Sequence, residues 1–416
     1  MPAQRPDAAV ATVRGSEPAS APRTPRFRLP DAAVPLRIAR RKFWLCGIGL
    51  AIFSIVVIVG SPLCGFVDFP QFWAAGHTVG TPSLLDPARH MDWQSANGIR
   101  PGFFVYPAGS AWLFAPFAAV PLAVGFWLHA IVMTGLVAAA GILGARVYGL
   151  DRRVGLVAAF AWAPCMASAI TGQNAALGLV LSLVAIEGLR RDDDGLAGLG
   201  VGLLLYKPTL AAPLIGLLLL RRRRRALLIV TAAAGAWYLA GVAAVAGDWS
   251  WPRQWLSVMG DYYAADTAGN VVRTISIPGL LQGHGVPSYV AWAVALAVVA
   301  LAIPRLLLRP IAEAGAGACL IALAISPHAL NYEGALVLPI LMWALGATRT
   351  GIAEPARTRL VVAAYLVAPE YLISETVGLS SLVVVTAVAA AIWISGWRRV
   401  ETPPPAGAGA ARREPA

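Results

Sequence analysis

Charged side chains are scarce in this chain of 416 residues. Asp, Glu, Lys and Arg together make up 13% of it, whereas an average soluble domain has about 25%. Hydrophobic residues make up 58%, and the mean hydropathy is +0.68. This balance argues against a soluble enzyme. The formal net charge of +12 therefore indicates a protein that lies in a membrane rather than one that binds nucleic acid.

Lysine and cysteine are rare as well. Lys42 and Lys207 are the only lysines, and every other cation is an arginine. This bias, together with the abundance of alanine and glycine, suggests a GC-rich bacterial genome. The four cysteines form no C-x-x-C pair and indicate no disulfide framework.

The chain also lacks the motifs of common cofactor sites. It contains no P-loop, no Rossmann glycine pattern, no zinc spacing and no G-x-S-x-G. An ATP-driven enzyme or a nucleotide-sugar enzyme of the ordinary type is therefore not expected. We predict no cofactor, and no acidic pair plainly binds a metal.

Apolar segments fill the middle of the chain, between polar tails at 1–36 and 401–416 that we expect to be disordered. A straight helical span needs about 20 apolar residues. Several segments are shorter, which is tolerated where helices line a cavity or are buried by protein. We predict an all-α polytopic fold with about 11–13 transmembrane or re-entrant helices, drawn from segments 43–60, 122–145, 154–171, 173–189, 196–220, 226–246, 286–304, 311–325, 333–347, 360–373 and 376–397, with the proline-rich stretch 103–121 left aside.

The arginines predict the orientation of the chain. Most of them lie in the tails or in clusters between segments, and the positive-inside rule places these clusters and both termini in the cytoplasm. The run Arg221–Arg225 is expected to hold anionic lipid there. The opposite, extracytoplasmic face then carries 61–105, 171–174, 247–285, 326–332 and 369–375.

Segment 196–220 allows two topologies. It begins after Arg-Arg-Asp-Asp-Asp and ends at five arginines, so both of its ends resemble cytoplasmic joints. Two short helices that meet near Lys207 and Pro208 would form a hairpin dipping into the membrane. A single span, with 103–121 crossing as a separate helix, would move several arginines outside and violate the positive-inside rule. We favour the hairpin.

Ionisable groups at membrane depth mark candidate functional residues. Asp68 follows the first apolar segment and lies beside Phe69, Phe72 and Trp73. An acid against apolar rings can act as a general base, although a helix N-cap is the simpler explanation. Lys207 lies more than ten residues from either flanking charge, so its ammonium needs an anionic partner at membrane depth. A lipid phosphate and a carboxylate elsewhere in the chain are the alternatives.

Several polar joints accompany these two residues, and each alone could be a simple turn. Gly172-Gln173-Asn174 and the stretch from Ser326 to Glu333 join short spans on the extracytoplasmic face. The long loop 247–285 carries Arg273 and an aromatic group that suits an interfacial helix, namely Trp249, Trp251, Trp255, Tyr262 and Tyr263.

Taken in order, these motifs resemble those of the integral-membrane glycosyltransferases of family 87 in the GT-C superfamily. The resemblance covers roughly residues 43–397, and the order and sidedness of the motifs carry it. The chain departs from the family pattern at two places. Ala108 follows Tyr106-Pro107, where the family often has a second proline, and Asn331-Tyr332 stands where the family often has a further histidine. These departures bear on the acceptor and the sugar more than on the reaction class. The motifs are Val67-Asp68-Phe69, Leu85-Asp86-Pro87, Phe104-Val105-Tyr106-Pro107, Pro116-Phe117-Ala118, Gly172-Gln173-Asn174, Lys207-Pro208-Thr209 and Ser326-Pro327-His328.

The resemblance implies a function and a mechanism. Residues 37–400 would form a GT-C membrane domain that moves a hexose, mannose above all, from a polyprenyl phosphate to an extracytoplasmic lipid or glycan acceptor, with inversion. Asp68 would be the general base, and Lys207, with His328 and Arg273 as weaker candidates, would bind the donor phosphate. The residues expected to contact the sugar or the acceptor are Gln173, Asn174, Tyr106 and Trp73.

Two alternatives remain open from the sequence. Within the same class, the protein could be an arabinofuranosyltransferase that uses a polyprenyl-phosphate donor. In a different class, it could be a flippase for lipid-linked sugars, although no internal repeat is visible and the polar groups gather on one face. The expected location is the bacterial plasma membrane, with membrane lipids as further partners. The sequence carries no signal for one oligomeric state over another.

Overall fold

The computed structural model describes residues 48–49, 52, 68–269, 274–327, 329–346, 354–368 and 381–395. The expected tails 1–36 and 401–416, most of segment 43–60, the joint 369–375 and the candidates Arg273 and His328 lie outside the described residues. Among the described residues there is no strand, only an isolated antiparallel bridge between Thr274 and Leu330. The prediction of an all-α membrane protein is therefore confirmed.

Helices follow one another with short joints. Single turns of 3₁₀ helix lie at Pro82–Leu85 and Leu204–Tyr206, and longer 3₁₀ segments at Ala108–Leu113 and Asn331–Val337. The α-helices are α1 (Phe69–Thr78), α2 (Pro87–Ala96), α3 (Ala115–Ala118), α4 (Leu122–Tyr148), α5 (Arg152–Ala161), α6 (Ala163–Ile170), α7 (Ala175–Arg190), α8 (Asp194–Leu203), α9 (Pro208–Leu220), α10 (Arg224–Ala244), α11 (Trp251–Gly269), α12 (Ile277–Gly283), α13 (Ser288–Leu308), α14 (Ile311–Ile325), α15 (Leu338–Gly346), α16 (Glu354–Val367) and α17 (Ser381–Ser395).

Helices α4, α10 and α13 are each long and apolar enough to cross a membrane. Helices α5 and α6 together form a fourth candidate span that is bent by 64° between them. Trp162 adopts an extended conformation at the bend. Pro164, in the first turn of α6, has no N–H with which to continue the hydrogen bonding of α5 across it. The stretch 103–121 contains no span and forms a 3₁₀ segment and the short α3 instead.

Several of the arginine clusters meet at one end of the bundle, which we call the arginine end. There the buried carboxylate of Glu187 accepts three ion pairs, from Arg146 (2.9 Å), Arg190 (2.7 Å) and Arg191 (2.6 Å). These contacts join the last turn of α4 to the last turn of α7. Because α7 has 16 residues, its other end lies about 24 Å from the arginine end.

Segment 196–220 is a hairpin. Arg223, just after α9, forms ion pairs with Asp192 and, at 3.6 Å, with Asp194 at the start of α8. A continuous helix through α8 and α9 would hold these ends more than about 30 Å apart. Lys207 therefore lies at the turn of a hairpin whose two ends are both at the arginine end.

Close helix packing fixes this hairpin against α7. A Cβ added at Gly200 would lie 2.7 Å from the backbone nitrogen of Ala185, and one added at Gly188 would lie 2.3 Å from that of Ala197. Small residues at such contacts allow two membrane helices to approach closely. The hairpin and α7 are thus closely packed, and together they position Lys207 and the joint Gly172-Gln173-Asn174.

The end of α9 is also tied to the end of α13. Arg221 donates to the carbonyl of Leu306 at 2.7 Å and to that of Arg309. Arg309 in turn forms an ion pair with Glu313 in the first turn of α14 and lies against the ring of Trp393. The arginines of these joints therefore share the arginine end, as the sequence predicts for one membrane face.

Candidate functional site

Asp68 lies at the start of α1, directly beside the joint 171–174. It occupies the N-cap position, but its side chain makes no capping hydrogen bond. Its backbone N–H donates to the carbonyl of Thr171 at 3.4 Å. The carboxylate interacts electrostatically with both Lys207 and Tyr106. The N-cap explanation therefore accounts for the position of Asp68 in the helix but not for its side chain.

The joint Gly172-Gln173-Asn174 is held in one conformation against α1. Gly172 has φ = +84°, and a Cβ there would lie 2.3 Å from the Cβ of Phe69. The hydroxyl of Ser168 donates to the carbonyl of Gln173 (3.3 Å) and accepts from the backbone N–H of Ala176 (3.2 Å). The sequence local to this turn thus fixes where the two amide side chains lie.

Asn174 connects the joint to two tyrosines. Its Oδ1 accepts from the hydroxyl of Tyr106 at 3.2 Å, and the hydroxyl of Tyr206 donates to its backbone carbonyl at 3.1 Å. The two tyrosine rings are parallel, with centroids 6.2 Å apart. Burial, reinforced by the neighbouring Tyr332, raises the pKa of Tyr106 well above its usual value, so its hydroxyl stays protonated and can donate.

Two buried amide atoms in this group lack a hydrogen-bond partner among the described residues. They are Oε1 of Gln173 and Nδ2 of Asn174, and both side chains are at least nine-tenths buried. A buried polar atom without a partner costs about 1–3 kcal/mol. Polar atoms of this kind can hydrogen-bond to a ligand.

Lys207 forms an ion pair with Glu333, whose side chain is 1% exposed. Its Nζ also lies 3.5 Å from the hydroxyl of Tyr106, and 5.4 Å and 5.9 Å from the ring centres of Tyr106 and Tyr332. The sequence left open whether a carboxylate elsewhere in the chain pairs with Lys207. The structure answers that question: Glu333 is that carboxylate.

The bend between α5 and α6 positions Glu333. The indole N–H of the fully buried Trp162 donates to the carbonyl of Gly334 at 2.8 Å. The same indole packs edge-on against the ring of Tyr365, with centroids 5.3 Å apart. The 3₁₀ segment that carries Glu333 is therefore fixed by a side chain at the helix break.

The structure does not bring Trp73 into this cluster. Its indole N–H donates to the carbonyl of Val120 at 3.0 Å, and its ring contacts His77. Phe72 contacts the cluster instead, with its ring 5.4 Å from that of Tyr106. The cluster of Asp68, Tyr106, Gln173, Asn174, Tyr206, Lys207, Tyr332 and Glu333 is called the polar cluster below.

Arg273 and His328 lie outside the described residues. The segments that directly follow them in the chain pair with each other. The N–H of Ile275 donates to the carbonyl of Ala329 at 2.8 Å, and Thr274 bridges Leu330. This pairing joins the loop after α11 to the segment that carries Glu333. The aromatic part of loop 247–285 is helical, as α11, and Trp255 of this helix donates to the carbonyl of Val105 at 3.0 Å.

A comparison with protein families decides the class of the protein. The model of glycosyltransferase family 87 matches residues 104–339, which is more than half of the chain. The chain belongs to glycosyltransferase family 87. No curated protein and no solved structure matches it. The matched region includes Tyr106, Asn174, Lys207 and Glu333, whereas Asp68 precedes it.

A glycosyltransferase moves a sugar from a donor to an acceptor, and the polar cluster offers groups suited to each part of that reaction. A carboxylate can accept a proton, an ammonium can stabilise a developing anion, and phenols and amides can bind sugar hydroxyls. Among the described residues, no group of three or more His, Cys, Asp or Glu is placed to hold a metal ion.

Proposed function

We propose that this glycosyltransferase moves a hexose, with mannose as the expected sugar, from a polyprenyl phosphate to a lipid or glycan acceptor. The observation that carries the proposal is the ammonium of Lys207 at the turn of an apolar hairpin, near enough to Asp68 for the two charges to interact. A donor with a lipid tail and a phosphate fits a cation at membrane depth. A nucleotide sugar offers no tail for such a position.

In the proposed reaction, Asp68 takes the proton from an acceptor hydroxyl as the hydroxyl oxygen attacks the anomeric carbon of the donor. The new carbon–oxygen bond forms on the face opposite to the breaking one, so the configuration inverts. The electron pair of the broken bond leaves with the lipid phosphate. Lys207 stabilises the negative charge that develops on that phosphate, and Arg273 and His328 are proposed as weaker partners of the same group.

The ion pair with Glu333 is compatible with this role. An ammonium has three N–H donors. One serves Glu333, a second is directed at the hydroxyl of Tyr106, and a third remains for phosphate. Glu333 would thus keep Lys207 charged and oriented before the donor arrives, because an isolated ammonium is strongly disfavoured away from water.

We propose that Tyr106, Gln173 and Asn174 bind hydroxyl groups of the sugar. The buried, unpartnered atoms of Gln173 and Asn174 supply one acceptor and one donor for this purpose. We also propose that the arginine end faces the cytoplasm of a bacterium, with both termini there. The polar cluster then lies toward the extracytoplasmic face of the plasma membrane.

The donor class can be tested with the purified protein in lipid vesicles. Labelled polyprenyl-phosphate mannose, glucose and arabinofuranose are each compared with the matching nucleotide sugar. We expect transfer from a polyprenyl-phosphate hexose and none from a nucleotide sugar. Transfer from a nucleotide sugar alone would contradict the proposal. Transfer from the arabinofuranose donor alone would replace the sugar but keep the donor class, whereas lipid movement without transfer would indicate a flippase.

A further inference from the structure

Tyr206 belongs to the polar cluster but has no part in the reaction proposed above. Its side chain is fully buried, beneath the residues proposed to contact the substrate. Its hydroxyl donates to the backbone carbonyl of Asn174 at 3.1 Å and lies 3.4 Å from Oδ1 of the same residue. A Cβ added at Gly178 would lie 3.2 Å from this hydroxyl. The hydroxyl is therefore closely packed against α7 and held beside Asn174.

The hydrogen bonds around Asn174 have a direction that follows from Lys207. An ammonium carries only N–H donors and no acceptor. The hydroxyl oxygen of Tyr106, 3.5 Å from Nζ of Lys207, therefore accepts from it. The single proton of that hydroxyl is then left for Asn174, at a distance of 3.2 Å. The atom of Asn174 that receives this proton must be the carbonyl oxygen Oδ1, since the N–H2 end has no acceptor.

The orientation of the Asn174 amide is thus fixed by its neighbours. The two ends of an amide have nearly the same shape and differ in the hydrogen bonds that they make. The hydroxyls of Tyr106 and Tyr206 both lie near Oδ1, at 3.2 Å and 3.4 Å. If the amide turned over, its N–H2 would face the proton of Tyr106, and that proton would lose its acceptor. Nδ2 therefore stays on the other side, where it is buried and has no hydrogen-bond partner among the described residues.

The same contacts tie the joint before α7 to the turn of the hairpin. Tyr206 directly precedes Lys207 at that turn, and Asn174 directly precedes α7. The rings of Tyr106 and Tyr206 are parallel, with centroids 6.2 Å apart, and Phe72 packs edge-on against Tyr106. The ammonium proposed for the phosphate and the amide proposed for the sugar therefore keep a constant separation.

We propose that Tyr206, together with Tyr106, is a positioning residue that holds the N–H2 of Asn174 toward the donor sugar, so that Asn174 donates a hydrogen bond to one sugar hydroxyl oxygen. This inference rests on the function proposed above, because it specifies how the donor of that reaction is recognised. A sugar that lacks an oxygen at this position leaves the buried N–H2 without an acceptor. Such a sugar should bind weakly, because an unpaired buried donor is costly.

The test measures the equilibrium affinity of polyprenyl-phosphate mannose, or of its glucose counterpart if glucose is the sugar transferred, and of analogues with one hydroxyl replaced by hydrogen or by fluorine. Affinity is measured rather than rate, because fluorine also slows cleavage of the bond to the phosphate. Fluorine can accept a hydrogen bond but cannot donate one. At the position that Asn174 recognises, the wild type should bind the deoxy analogue about 10- to 100-fold more weakly than the parent donor. The fluorine analogue at that position should bind more tightly than the deoxy analogue.

Two variants separate positioning from a structural role. Asn174→Ala identifies the position, because the loss of affinity for that deoxy analogue alone should disappear. Asn174→Asp, which keeps both oxygens for the tyrosines and lacks the N–H2, serves the same purpose if Asn174→Ala does not fold. Tyr206→Phe keeps the ring and removes the hydroxyl, and it should reduce the same loss by at least about threefold. A structural role would instead weaken all donors by one factor and leave their ratios unchanged.

Tyr238→Phe is the matched control, because this tyrosine also donates to a backbone carbonyl, that of Trp249 at 3.0 Å, outside the polar cluster. It should leave every affinity ratio unchanged. Wild-type ratios in Tyr206→Phe would overturn the inference. So would a fluorine analogue that binds more weakly than the deoxy analogue at the position of Asn174, because a carbonyl oxygen facing the sugar would repel fluorine. Failure of the proposed function is distinct, since the wild type would then bind no polyprenyl-phosphate sugar at all.

Discussion

The ion pair between Lys207 and Glu333 gives a quantitative prediction. Lys207→Met removes the ammonium and leaves the carboxylate of Glu333, 1% exposed, without its counterion. Breaking a buried pair on one side costs about 3–5 kcal/mol. Lys207→Met/Glu333→Gln removes both charges. It should regain most of that stability, since replacing a whole buried pair is often nearly neutral.

Donor binding should not recover in the double variant. If Lys207 binds the donor phosphate, both variants lose a charge-assisted hydrogen bond of about 1.5–3 kcal/mol. This corresponds to a donor affinity about 10- to 100-fold weaker. Stability and donor affinity should therefore change independently. The double variant should have nearly the stability of the wild type but the weak donor affinity of the single variant.

Thermal unfolding in detergent and equilibrium binding of a labelled polyprenyl-phosphate sugar measure the two quantities on the same preparations. Glu333→Gln alone is the companion variant that completes the cycle. Wild-type donor affinity in the double variant would refute the argument, because it would show that the pair has only a structural role.

Three further predictions concern the supports of the site. Gly172→Ala should destabilise the protein by at least about 1–2 kcal/mol and lower turnover, because φ is +84° and the new Cβ meets Phe69. Thermal unfolding and transfer assays measure the two effects, and unchanged values would contradict a fixed conformation of this turn. Trp162→Phe should lower the free energy of unfolding by about 1–3 kcal/mol, because the carbonyl of Gly334 loses the indole N–H that it accepts from. The affinity for the sugar donor should fall as well. Unchanged stability would show that this hydrogen bond does not hold the segment of Glu333. Burial lowers the pKa of His90 from 6.5 to about 4, so the unfolded chain binds the proton more tightly than the folded one. The free energy of unfolding should therefore fall by up to about 3 kcal/mol between pH 6.5 and 4. His90→Gln should reduce this dependence of stability on pH, and an unaltered dependence would rule out His90 as its source.

The helical architecture could be predicted from hydrophobic patterning and charge. Segments 226–246 and 286–304 correspond closely to Arg224–Ala244 and Ser288–Leu308. The hairpin at 196–220 could also be predicted, because charge at both ends places them on one side of a membrane. These features depend on local composition, which the sequence displays directly.

The bend at Trp162 is not located by the sequence prediction, which treats 154–171 as a single apolar segment. The signal in the sequence is Pro164, because proline lacks the N–H that a continuous helix needs and favours the first turn of a new one. Apolar composition alone conceals such a break, since both halves are equally hydrophobic. The consequence is functional, because the bend positions the segment of Glu333.

The partner of Lys207 and the contacts of Trp93 with Trp73 and His77 depend on how distant parts of the chain pack. Glu333 appears in the sequence as one polar residue of a joint, and no local pattern links it to Lys207. Likewise, Trp93 lies on a different helix from Trp73 and His77. Such juxtapositions follow from how helices pack, and one sequence without its fold cannot provide them.

The role of Asp68 as general base is the central claim, and one comparison tests it most directly. The rate of sugar transfer by Asp68→Asn is measured against the wild type, with donor affinity determined on the same preparations. We predict a rate at least about 100-fold lower, with donor affinity and thermal stability close to those of the wild type. A variant that transfers sugar at the wild-type rate would show that another group takes the proton.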